Sequence, residues 1–158
     1  MKNVLLLAVL ALLCIPAPTV AAQSQLDVPT QLEYIDAQVD VFVPFLQSFQ
    51  VNYYAQNGRY FQALTSHNTP PEGVAPPDDL NSAPTDETVA LAALWAYAAL
   101  PAATNFSFSV DTYDGPDGPG YVLNVETMIN DEVWTRSINF GPEAWRGAEW
   151  FHPEPFNF

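Results

Sequence analysis

Seven apolar side chains, Leu32, Ile35, Val39, Phe42, Leu46, Phe49 and Tyr53, recur alternately three and four residues apart. That spacing puts all seven on one face of a single helix about 40 Å long at about 1.5 Å per residue. Asp27 is placed to cap its start, with Pro29 in a first turn where a missing amide hydrogen costs nothing, and Asn57-Gly58 marks its stop. Pro44 lies inside the span but off the stripe, so a bend over residues 40 to 44, or a division of the helix in two, is expected. Tyr34, Val41, Phe45 and Tyr54 flank the stripe. The apolar surface is therefore wider than one seam, and the helix must be covered on a second side or meet a partner.

From His67 to Pro84 the pattern lapses into five prolines with Glu72, Asp78 and Asp79, which describes an acidic extended loop ordered by contacts elsewhere. Thr85-Asp86-Glu87 then supplies a cap and an acidic first turn for a short helix through Ala98, apolar nearly all round and so expected to be buried. After Phe106 the period changes to two. A two-residue turn at Asn130-Asp131 sets Leu123, Val125 and Thr127 against Ile138, Arg136 and Trp134, and a loop from Asp114 to Pro119 sets Val110 against Leu123 and Phe108 against Val125. One face of this three-stranded meander then carries Phe106, Phe108, Val110, Tyr121, Leu123, Val125, Trp134, Ile138 and Phe140, and the other carries Ser107, Ser109, Asp111, Asn124, Glu126, Ser137 and Asn139. Arg136 is the misfit on the apolar face and needs a carboxylate, with Asp40 or Glu33 within reach of the helix flank. The expected fold class is α+β, a long kinked N-terminal helix packed on a three-stranded antiparallel meander.

Composition changes the picture at both ends. Residues 1–22 combine Lys2, an apolar run from Val4 to Ile15 and the small residues Val20-Ala21-Ala22, the form of a cleaved secretory signal. The apolar run is about twelve residues, short of the roughly 20 that cross a bilayer, so no stable membrane insertion is expected after cleavage. Residues 23–158 are then a single domain without cysteine, carrying three arginines against 18 acidic side chains, a net charge of −15. Such a surface repels phosphate backbones, and nucleic acid is excluded as a partner. Residues 141–158 form an aromatic tail containing Trp145, Trp150, Phe151, Phe156 and Phe158. These rings, with Phe45 on the helix, are the candidate self-association surface.

The order of an amphipathic helix, Tyr53-Tyr54-Ala55-Gln56-Asn57-Gly58-Arg59-Tyr60, a variable loop and an antiparallel meander resembles the headpiece of type IV pilins and pseudopilins. The prepilin cleavage site and the apolar stalk of that family have no counterpart here, so packing into a pilin filament core is not implied. Over residues 52 to 150 the segments Asn57 to Leu64, Pro76 to Leu80, Pro84-Thr85-Asp86, Val110 to Gly118 and Gly141 to Arg146 resemble small bacteriophage and prophage proteins. That likeness implies a bacterial or phage origin and no reaction.

Chemistry is sparse. His67 beside Ser66 and Thr65, and His152 beside Pro153, lack the oriented nucleophile and base that acyl transfer needs, and two histidines without cysteine make a poor zinc set. Asp111, Asp114 and Asp117 with neighbouring glycines offer oxygen ligands for calcium, although Pro116 interrupts an EF-hand spacing and turn preference alone accounts for them. The expected function is a non-enzymatic exported subunit of an extracellular filament or surface assembly without a cofactor. The alternative is a secreted module binding calcium or carbohydrate.

Overall fold

The computed structural model describes residues 26–141 and 150–151. The expected signal segment, Trp145, Phe156 and Phe158 lie outside the described residues. The chain runs α1 (Val28–Asn57), β1 (Ala63–His67), α2 (Glu87–Tyr97), β2 (Ser107–Gly115), β3 (Gly118–Ile129) and β4 (Glu132–Phe140). The sheet is antiparallel in the order β1-β2-β3-β4, an α+β architecture with four strands where the alternation predicted three. No helix among the described residues is long and apolar enough to cross a membrane.

Helix α1 begins and ends where its caps require. Asp27 accepts from the Thr30 amide at 2.9 Å, and Gly58, at φ 68°, turns the chain out of the helix while its own N–H donates to the Tyr54 carbonyl at 2.8 Å. The helix runs unbroken through Pro44, so the expected division does not occur. Pro44 and Asp40 are both exposed, which leaves the carbonyl that loses its donor open to water.

Of the seven stripe residues, Ile35, Val39, Phe42, Leu46, Phe49 and Tyr53 are buried and Leu32 is half-buried. Phe42 sits between Phe106 and Phe108 of the sheet, with ring centroids 6.2 Å and 4.8 Å away. Helix α2, capped by Asp86 through the Thr88 and Val89 amides at 3.0 Å, covers the second flank. Its Trp95 stacks on Phe108 at 5.6 Å, and its Tyr97 meets Phe45 edge-on at 6.2 Å. The width of the apolar surface on α1 is thus absorbed by two partners within the chain.

Strand pairing follows the predicted register, with Phe108↔Val125, Val110↔Leu123, Leu123↔Ile138, Val125↔Arg136 and Thr127↔Trp134. The hairpin between β2 and β3 is tighter than expected. Its ladder continues through Asp114↔Pro119 to Gly115↔Gly118, leaving Pro116-Asp117 as a two-residue turn with Gly118 at φ 126°. Strand β1 was hidden from periodicity because a register shift interrupts its pairing to β2 between Ala63 and His67. The proline-rich loop that follows is ordered by the end of α1. Gln56 donates to the Asn81 carbonyl at 2.7 Å and accepts from the Ala83 amide at 3.0 Å, and Asn57 donates to the Ala83 carbonyl at 2.9 Å.

Gln50 is fully buried beside the stripe. Its amide accepts from the Phe61 N–H at 2.8 Å and donates to the Phe61 carbonyl at 2.9 Å, joining α1 to the segment entering β1. Replacing Gln50 with Met keeps the bulk but strands both backbone groups. A loss of about 2–4 kcal/mol is expected, read as a lower urea midpoint with an unchanged slope.

Candidate functional site

With α1 and α2 on one face of the sheet, the opposite face is left open, and it is built from alternate residues of each strand. Across its middle runs a chain of short polar groups: Ser137 Oγ donates to Asn124 Oδ1 at 2.7 Å, and Asn124 Nδ2 donates to Asp111 Oδ2 at 2.8 Å. One row further, Ser66 Oγ of β1 donates to Glu126 Oε2 at 2.9 Å. At the other end the Tyr113 ring lies over Gly120 and Gly141, and its hydroxyl donates to Asn139 Oδ1 at 2.8 Å. A side chain at Gly120 would collide with that ring and stand 2.8 Å from the Phe140 carbonyl oxygen, so glycine is required by a close approach.

Toward the Asn130-Asp131 turn this face becomes apolar. Met128 and Val133 are cross-strand neighbours, 69% and 41% exposed, and border a groove of about 300 Å³ that is also lined by Asn68, Asn105, Ser107 and Glu126. Phe151 joins them. Its N–H donates to the Thr135 carbonyl at 2.8 Å and its carbonyl accepts from the Thr135 amide at 2.9 Å, an isolated antiparallel bridge on the outer edge of β4. Directly opposed residues share a face, so the Phe151 ring, 65% exposed, stands on the open side beside Val133. Leu64, 68% exposed and adjacent to core-facing Ala63, is a further apolar group left outside. The described arginines, Arg59 and Arg136, belong to neither this face nor its rim; Asp111 and Glu126 give it negative charge.

Beside Phe151, Trp150 turns the other way and packs half-buried against the core. Its Nε1 donates to Asp36 Oδ1 at 2.8 Å, and the same oxygen receives Arg136 Nη1 at 2.6 Å. Asp36 is thus a clasp for β4 and the C-terminal segment together. The carboxylate expected for Arg136 was Asp40 or Glu33, and both are exposed instead. Each of the three acids follows a stripe residue by one position, so they share a flank of α1. Periodicity cannot supply the axial offset that brings Asp36 level with Arg136.

The remaining candidates are placed as follows. Asp111 and Asp114 stand three apart on β2 and so on opposite faces, while Asp117 is in the turn; the structure does not converge them, and no group of three or more His, Cys, Asp or Glu that could hold a metal occurs among the described residues. Ser66 bonds Glu126, whereas His67 Nε2 lies 3.0 Å from Thr65 Oγ1, so serine and imidazole are not aligned as nucleophile and base. Burial lowers the His67 pKa below its ordinary value. Of the tryptophans, Trp95 is buried and Trp134 and Trp150 are half-buried, which leaves no exposed indole among the described residues for stacking on sugar. Phe45 is turned toward Tyr97 of its own chain. A row of rings, Tyr54, Tyr60, Tyr121 and Phe140, spaced 4.7, 5.1 and 4.8 Å, closes the core at the Tyr113 end, and burial, with the neighbouring Tyr60, raises the Tyr121 pKa.

Sequence reasoning missed the open-face cluster at Met128, Val133 and Phe151. Met128 and Val133 did carry a signal, as large apolar residues at positions where the alternation assigns the wet face. No protein-family model matches this chain, and no curated protein or solved structure matches it either.

Asp36→Ala removes an acceptor from two donors at once and should cost about 1–3 kcal/mol in urea denaturation, whereas Asp36→Asn, which retains a neutral oxygen for Trp150, should cost less.

Proposed function

We propose that this chain is a non-enzymatic, exported structural subunit that self-associates in an extracellular filament or surface assembly. The observation that carries the reading is the open-face cluster of Met128, Val133 and Phe151, large apolar side chains exposed together at one end of a sheet whose other face is covered. A lone exposed apolar residue needs no explanation, but neighbours on one flat face favour contact with another surface. The second support is chemical. The hydroxyl, imidazole and carboxylate groups on the page are engaged in structural hydrogen bonds or dispersed, so no arrangement of acid, base and nucleophile competes with a structural role. Export follows from the signal-like character of residues 1–22, and the succession of a long helix and an antiparallel sheet is the order found in pilin headpieces.

The test is light scattering coupled to size-exclusion chromatography over rising concentration, with negative-stain microscopy of the concentrated fractions. The expected result is a mass that grows with concentration, and a monomeric mass for the double variant Met128→Asp with Phe151→Asp. Both side chains are more than 60% exposed, so the variant's thermal midpoint should stay within a few degrees of the wild type. A wild type that is monomeric at its solubility limit overturns the reading.

A further inference from the structure

The C-terminal segment is held by few bonds, and every one of them has a partner on any other copy of the chain. Two backbone hydrogen bonds join Phe151 to Thr135, and one side-chain bond joins Trp150 to Asp36. Thr135 is the one β4 residue, among those described, whose outward backbone groups are paired with another segment; its neighbours on that edge in the same orientation, Val133 and Ser137, extend the same row of donors and acceptors. The edge is thus demonstrably able to accept an antiparallel strand, and the strand it accepts is carried by every copy. Eight residues, 142–149, separate Gly141 from Trp150. At about 3.3–3.6 Å per residue their contour reaches about 30 Å, enough for the segment to serve its own edge or that of an adjoining copy.

We propose that Trp150 and Phe151 are exchanged between copies, the segment of one seating on the Thr135 edge and the Asp36 carboxylate of the next. Exchange conserves all three hydrogen bonds, so it adds no unsatisfied donor, and it brings the open-face rings of two copies together, covering side chains that a lone copy leaves in water. An exchanged strand is therefore favoured over a closed one as concentration rises. The edge supplies affinity through its backbone, and the fit of the Trp150 indole against the core and Asp36 supplies specificity, the logic of strand addition. The inference rests on the self-associating reading above and names the segment that carries it.

The experiment pairs Thr135→Cys with Phe151→Cys in a Cys14→Ser background. A directly opposed, hydrogen-bonded antiparallel pair has Cα atoms about 5.5 Å apart, inside the range a disulfide spans. After oxidation, non-reducing electrophoresis should show linked dimers and higher species whose share rises with concentration and which collapse on reduction; a control pair with Leu64→Cys in place of Thr135→Cys should give several-fold fewer. A monomeric band with blocked thiols, at concentrations where the wild type is oligomeric, overturns the exchange and leaves self-association standing. A wild type that remains monomeric throughout overturns both. Free thiols at both positions also overturn the exchange, because the pairing on which it depends would then not form.

Discussion

One face of the sheet can be covered only once, and the contact of Phe42 with Phe106 and Phe108 decides which face that is. Through it the stripe on α1 lies along β2, and α2 is drawn against the same strand by Trp95 on Phe108. Each buried aliphatic or aromatic side chain of the stripe contributes about 1.5–3 kcal/mol relative to exposure, more than any single polar contact in the molecule. Once the two helices occupy that side, the chain has no further element among the described residues to cover the other. The open face, with its polar rows and its apolar end, is a consequence of how the helices are spent.

Two polar groups then determine how the ends of the chain are attached. Gln50 is the fully buried amide through which α1 grips the strand that follows it, and Asp36 is the carboxylate through which α1 grips the strand that precedes the tail. Both lie beside the apolar stripe rather than within it. They therefore add positional information that hydrophobic packing lacks, since apolar contact alone tolerates sliding along the helix axis. The connection to function runs through Asp36, because the tail segment it holds ends at Phe151 on the open face.

Most of the framework was legible in the order of residues. The three-and-four spacing over Leu32 to Tyr53, the Asp27 and Asp86 caps, the Gly58 stop and the alternation after Phe106 each encode a local geometry, and local geometry is what periodicity reads. The register of β2, β3 and β4 was legible for the same reason, since a one-residue slip would turn Phe108 and Leu123 to water. Strand β1 was not, because its pairing is irregular and five residues carry little period. The division expected at Pro44 failed because the missing hydrogen bond falls on the solvent side of a helix held by packing on the other. The calcium reading depended on three aspartates converging in a loop; the ladder runs further than expected, and pleating sends Asp111 and Asp114 to opposite faces. The partner of Arg136 and the open-face cluster depend on offsets between elements, which no single stretch of sequence contains.

Native-state hydrogen exchange tests the central packing most directly. If α1 and the sheet form one cooperative unit through the Phe42 contact, the slowest amides of residues 39 to 53 should exchange through the same opening free energy as those at the centre of β2 and β3, and Phe42→Ala should lower both sets together. Helix amides that exchange far faster than the sheet, with Phe42→Ala leaving β3 protection unchanged, would contradict the account.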